Sequence, residues 1–344
     1  MGDSMKKVVG FGEIMVRLAP SGYLKFVQAT SFDVNYTGAE ANVCVSLGNF
    51  GVPTSFVTKL PRNDISDCAV KKLRMFGVET NDIVWGGDRI GSYYLERGAS
   101  QRPSKIVYDR KYSAISMASP SDFDWDKILK DAGWLHFTGI TAGLGGETAR
   151  ICRDACEAAK RNGLKISCDL NYRKNLWSPE AARKTMTKLV RFCDVLIGNE
   201  EDAQIALGMK PEGSDVTGGK LNYSGYSKLA ERISKDFGIP KVAFTLRTSY
   251  SASDNGWAGM LYSGGETYFS KDYKIHMVDR VGGGDSFGAG LIYALMNDYG
   301  AQEAIEFATA ASCLKQTMEM DFNLATVEEV CRLISGDGSG RVQR

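Results

Sequence analysis

Two histidines, His136 and His276, are all the chain contains, and its eight cysteines include no C-x-x-C pair, so the ligand sets of a zinc site or a dithiol redox centre are missing. Cys152 and Cys156 share one helix face at four-residue spacing, but two histidines are too few to complete a metal set around them. Cys44, Cys68, Cys152, Cys156, Cys168, Cys193, Cys313 and Cys331 mostly sit in apolar runs and read as reduced core residues, which suits the cytoplasm. Excess charge of one sign is lacking too. The 42 basic and 41 acidic side chains leave a formal net charge of +1, with no positive field for nucleic acid or an anionic membrane. No run approaches the roughly 18 apolar residues of a membrane-spanning helix, and Met1–Lys7 has no signal-peptide core. Internal repeats, low-complexity tracts and linkers are absent as well. The 344 residues, 43% of them hydrophobic, are therefore expected to form one unit over 5–335 followed by a disordered tail over 336–344. What remains is a protein that acts on a small molecule.

The chain does have a regular alternation. Short β-rich runs at Val8–Phe11, Ser55–Lys59, Leu135–Ile140, Ile166–Leu170, Val195–Gly198 and Val242–Leu246 predict buried strands. Between them, apolar residues at three- and four-residue steps predict helices at Asp67–Phe76, Glu147–Asn162, Pro179–Phe192, Tyr226–Phe237, Asp285–Asn297, Gln302–Met318 and Thr326–Ile334. Such a pattern implies a mostly parallel sheet covered on both faces, a three-layer α/β/α fold. Two stretches, about 18–37 and 84–116, break it with Tyr, Ser, Arg and Gly, and suit a small β-sheet lid over one end of the main sheet.

The densest motif is Val278-Asp279-Arg280-Val281-Gly282-Gly283-Gly284-Asp285-Ser286-Phe287-Gly288. A glycine-rich turn opening a helix aims backbone N–H groups at an anion, and the helix dipole adds to their pull. A carboxylate beside a bound phosphate is costly unless it has a task, and taking a proton from a substrate hydroxyl is such a task for Asp285. The same residues equally suit a helix start with an Asp cap and glycines required by packing. In an open α/β sheet ligands bind beyond the carboxyl ends of the strands. There the sequence places Asp169, Asn171 and Arg173, then Asn199, Glu200, Glu201 and Asp202, then Thr245 and Arg247.

These residues resemble the ribokinase family of sugar kinases, also called the phosphofructokinase-B family, from Val8 to about Ile334. The family's Asp-Thr-x-Gly-x-Gly-Asp signature is matched by Asp279 through Asp285, with Arg280 in place of threonine. Its Gly-Gly…Asn signature appears as Thr37-Gly38-Ala39-Glu40-Ala41-Asn42, with Thr37 in place of the first glycine, and its Asn-x-x-Glu motif maps to Asn199 through Asp202. The resemblance implies ATP and Mg2+ as cofactors and also admits a monovalent cation such as K+. It implies Asp285 as general base and the amides of Gly282, Gly283 and Gly284 as an anion hole. Asn199, Thr245, Arg247 and Ser312 would meet the nucleotide, with Asn199 and Asp202 reaching the metal through water. Gly38 and Asn42 would touch sugar hydroxyls.

Tyr94, Tyr108-Asp109-Arg110 and Asp169 through Arg173 further resemble the pattern of 2-keto-3-deoxygluconate kinases. Two guanidiniums, from Arg110 and Arg173, would suit a sugar acid's carboxylate and be left unpaired beside a neutral sugar. Arg17, where relatives often carry Asp, is compatible with the same anionic substrate. The alternative is that Arg110 and Arg173 pair with Asp109 and Asp169 and hold the lid edge. Other readings are a kinase of the family for fructose or ribose, and a sugar-binding regulator without activity, for which the departures at Thr37, Asp202 and Arg280 would count. A dinucleotide-dependent oxidoreductase is disfavoured, since Gly10-Phe11-Gly12-Glu13-Ile14-Met15 lacks the third glycine of G-x-G-x-x-G. The lid's strand edges could pair with a second copy in a homo-oligomer.

Overall fold

A computed structural model of the protein describes residues 5–211 and 222–336. The tail expected from Gly336 onward lies, beyond that residue, outside the described residues. The apolar runs form the middle of a ten-stranded sheet. Its order is Glu266–Phe269, Asp254–Ser263, Lys241–Ser249, Val195–Gly198, Lys165–Asp169, Ala132–Thr138, Lys7–Phe11, Thr54–Val57 and Val78–Glu79, with Tyr273–His276 also paired to Asp254–Ser263. From Lys241–Ser249 to Val78–Glu79 every pair is parallel. The remaining pairs are antiparallel.

Alternate residues of each strand feed two different cores, because successive side chains point to opposite faces. Val9, Leu135, Ile166, Leu196 and Val242 pack with the helices Thr148–Arg161, Pro179–Leu189 and Tyr223–Phe237. Val8, Trp134, Val195, Ile197 and Ala243 pack with Ala39–Asn49, Gly283–Met296 and Ala301–Lys315. This is the mixed α/β architecture expected, and a separate four-stranded sheet stands beside it in the order Asp33–Thr37, Met15–Ala19, Gly91–Glu96, Lys105–Asp109. That lid sheet begins at Met15, a few residues before the stretch whose composition marks it.

Two strand ends need correction, and one strand and one helix were not foreseen. The strand read as Leu135–Ile140 stops at Thr138, whose hydroxyl accepts from the Ile140 N–H at 3.1 Å and caps the short helix Gly139–Ala142. The strand expected to close at Leu246 continues to Ser249, because the antiparallel partner Asp254–Ser263 pairs with its whole length. That partner was not foreseen, since Gly256 and Gly259 dilute its β pattern. The helix Ala39–Asn49 is buried on nearly every side, so it has no polar face for periodicity to detect. All eight cysteines are free thiols as expected, though Cys68 and Cys331 are exposed rather than in the core.

Candidate active site

A cleft of about 1000 Å³ opens between the carboxyl ends of the parallel strands and the lid. Its floor is the glycine loop. Gly282 has a left-handed backbone, φ 82°, and a Cβ there would come 2.1 Å from the Asp321 carbonyl oxygen, so no other residue fits. The helix Gly283–Met296 starts on the next residue, and helix geometry leaves the amides of Gly284 and Asp285 without helical partners. Gly283 differs from its neighbours, since its N–H donates to the Arg280 carbonyl at 3.3 Å and closes the turn. It lines the cleft with its N–H already engaged in the turn. Ser312, expected at the nucleotide, is a correction: it is fully buried outside the cleft lining, and its hydroxyl donates to the Gly283 carbonyl at 2.6 Å from beneath.

Asp285 sits at the helix start, partly buried at the cleft floor. Its Oδ2 accepts from Asn42 Nδ2 at 2.6 Å, and Asn42 Oδ1 accepts from the Thr37 hydroxyl at 2.8 Å. Thr37 therefore fixes the amide that holds Asp285, and Asn42 serves the carboxylate directly. Gly38 lets the two segments meet, because a Cβ would lie 1.8 Å from the Glu13 carbonyl oxygen. Burial pushes the Asp285 carboxyl up to about 6, against the Asn42 hydrogen bond and the Arg173 charge. Asp202 is likewise raised to about 6 by burial and accepts from the Tyr172 N–H at 2.9 Å. Asp169 is held well above the usual carboxylate range by burial and by the charges of Asp202 and Asp285. Glu40, raised to about 7 by burial, accepts from Thr138 and Thr141 at the cleft wall.

The arginines divide. Arg110 lines the cleft but is buried, with Nε and Nη2 on Glu13 Oε2 and its guanidinium over the Tyr108 ring. Its partner is thus Glu13, while Asp109 pairs with Arg89 at 2.9 Å. Arg17 is not a substrate contact: it is buried, with Nη1 on Asp321 at 2.6 Å and Nη2 on Asp279 at 2.5 Å. Arg173 is exposed at the cleft, bonded to the Tyr172 carbonyl, and its charge opposes the burial that raises the carboxyls of Asp169, Asp202 and Asp285. Arg247 and Arg280 line the other end, and the first depresses the second by like-charge repulsion, after burial. Neither makes an ion pair among the described residues. Two cations left together beside a helix N-terminus define an anion site.

Within the lid the strand parity is the reverse of that expected. Tyr93 faces the cleft and donates to Asp321 Oδ1 at 2.8 Å, whereas Tyr94 points to the opposite face and packs on Phe32. Tyr108 lines the cleft, as do Asn199 and Thr245. Asn199 caps the helix Glu200–Leu207 by accepting from the Asp202 N–H at 2.8 Å. Trp257 and Asn255 are cleft residues that the sequence did not single out, and Arg280 carried its signal only as a departure from a motif. No cluster of three metal-ligating side chains occurs among the described residues. A Mg2+ ion still fits Asn199 and Asp202, because that ion keeps its waters and takes few protein ligands when phosphates supply the rest.

A cleft at the carboxyl ends of a parallel sheet, with an anion-binding helix start, a partly buried carboxylate and a lid, defines a small-molecule phosphotransferase. The match to the family model for pfkB family carbohydrate kinases over residues 5–319 makes the assignment specific. The chain belongs to the pfkB family of carbohydrate kinases. It is 30% identical over 335 residues to the 2-dehydro-3-deoxygalactonokinase of Haloferax volcanii, covering 97% of this chain and 98% of that one. The crystal structure of the 2-dehydro-3-deoxygluconokinase of Thermotoga maritima superposes with a TM-score of 0.93 at 49% identity, covering 98% of this chain and all of that one. An E. coli chain assigned as a ribokinase II, solved with ATP and Mg2+, shares the fold with a TM-score of 0.79 at 21% identity, covering 96% of this chain and 99% of that one. No described helix is long and apolar enough to cross a membrane.

Proposed function

We propose that the protein transfers the γ-phosphoryl group of ATP to the 6-hydroxyl of 2-keto-3-deoxygluconate, with residues 5–335 working as one kinase domain. The observation that carries this reading is the meeting, in one cleft, of Asp285 at a helix N-terminus with the exposed guanidinium of Arg173, which makes no ion pair among the described residues. Asp285 takes the hydroxyl proton as the new O–P bond forms and the bond to the β-phosphate oxygen breaks, releasing ADP. The amides of Gly284 and Asp285 hold the charge on the transferring group. Asn199 and Asp202 would hold Mg2+ through water, and the ion would neutralise charge on the phosphates. Arg247, Arg280 and Thr245 lie along the nucleotide. Arg173 binds the substrate carboxylate, Tyr108 closes over it, and the lid excludes water.

A neutral sugar is the second reading, favoured by the pairing of Arg110 with Glu13, which removes one guanidinium from carboxylate recognition. For assembly, the lid sheet's outer strands Asp33–Thr37 and Lys105–Asp109 expose Val34, Ile106 and Val107, and a second copy of the chain is the partner that suits two such edges. Sedimentation of the intact protein checks this. The substrate is tested by ADP release with 2-keto-3-deoxygluconate, 2-keto-3-deoxygalactonate, gluconate, fructose and ribose side by side. Preference for the 2-keto-3-deoxy acids is expected. Turnover of fructose or ribose alone would move the assignment to the second reading.

A further inference from the structure

Beneath the glycine loop lies a charged side chain that the proposed transfer step does not use. Lys315, the last residue of the helix Ala301–Lys315, is fully buried, and its Nζ donates to the Asp279 carbonyl oxygen at 3.0 Å. Asp279 is the residue from which the loop departs. Its carboxylate receives Arg17 and also the Val281 N–H at 3.1 Å, while its own N–H donates to the Gln316 carbonyl at 3.3 Å. Asp321, the other carboxylate of the cluster, receives Arg17 and the Tyr93 hydroxyl, and its carbonyl is the atom that Gly282 packs against.

Within ion-pair distance the charges do not balance without the lysine: two buried carboxylates share the one Arg17 guanidinium beneath the amides that would receive a phosphoryl group, while Arg280, the next cation near Asp279, lines the cleft above. In a low-dielectric interior the excess negative charge acts against the loop's own attraction for an anion. The Lys315 ammonium cancels it, from a helix C-terminus where a cation is favoured. The charged groups around it are Asp279, Asp321 and Asp285, which favour the ammonium, and Arg17, which opposes it. Burial lowers the Lys315 pKa below the ordinary lysine value, as expected for an ammonium removed from water.

We propose that Lys315 is a positioning residue that serves as a built-in monovalent cation: it fixes the Asp279 carbonyl at the base of the glycine loop and neutralises the carboxylates beneath it, so that transfer needs no dissociable monovalent ion. The proposal rests on the reading of this loop as the anion hole. It is tested by measuring ADP release in a buffer whose only small cations are Mg2+ and tetramethylammonium, with K+, Na+ or NH4+ then added. The wild type is expected to respond by less than about twofold. Lys315→Ala is expected to lose about 100-fold in kcat, with KM for ATP and sugar within about threefold, and to regain about tenfold or more with K+ or NH4+. A purely structural lysine would give a loss that no monovalent ion restores, and that result overturns the proposal. So does a wild type activated tenfold or more by K+. If Lys315→Ala does not fold, the wild-type titration decides alone. Asp285→Asn run in parallel separates the two readings. Loss in Asp285→Asn with full activity in Lys315→Ala refutes only the lysine's role, whereas an active Asp285→Asn refutes the transfer chemistry beneath it.

Discussion

Arg110, Arg173, Arg247 and Arg280 line one cleft and Arg17 lies behind its wall on Asp279 and Asp321, yet Arg17 and Arg110 are a different kind of residue from the other three. Those two are buried and matched: Arg17 by Asp279 and Asp321, Arg110 by Glu13. The other three line the cleft without an ion pair among the described residues. A paired guanidinium has already met its carboxylate and ties the lid to the floor, while an unpaired one is available to an anion that arrives. The difference teaches that arginine content near a site says little about substrate charge until the pairing is known.

The sharpest way to break this division is to remove a paired arginine. Arg17→Met leaves two buried carboxylates facing each other, and a loss of about 3–5 kcal/mol of stability is expected in denaturant unfolding. An effect on KM alone, with stability unchanged, would mean that Arg17 meets the substrate after all. Removing an unpaired arginine should do the opposite. Arg247→Ala is expected to raise KM for ATP about tenfold, equivalent to about 1.4 kcal/mol, without lowering the melting temperature. The smallest effect is on pH dependence. Asp285 must be ionised to act, and its carboxyl lies at about 6, so kcat/KM should fall about tenfold per unit as pH drops below that value. The Arg173 charge holds the Asp285 carboxyl down, and Arg173→Ala should therefore shift the acidic limb toward higher pH. A shift to lower pH would show that the two do not interact as described.

Much of the fold was open to reading because parallel strands buried on both faces appear as unbroken apolar runs, and helices packed on one side keep their period. The position of the glycine loop, with Asp285 in the first turn of a helix, was equally plain, since a tight turn opening a helix requires glycine. What could not be read were contacts between residues far apart in the chain. Arg17 meets Asp279 and Asp321 across 262 and 304 positions, and nothing local to Arg17 marks it as paired. The choice of Tyr94 over Tyr93 failed by one residue, because a strand's period of two makes adjacent tyrosines face opposite ways and composition does not set the parity. Ser312 and Lys315 sit on a helix that is mostly buried, where a polar residue serving the loop from below looks no different from one facing a ligand.

The most direct test of the division between the two sets is the steady-state kinetics of Arg173→Ala with 2-keto-3-deoxygluconate and ATP varied in turn. Loss of a charge-assisted contact predicts an increase in KM for the sugar acid of about tenfold or more, with KM for ATP within about twofold. Equal increases for both substrates, or none for the sugar acid, would contradict the account.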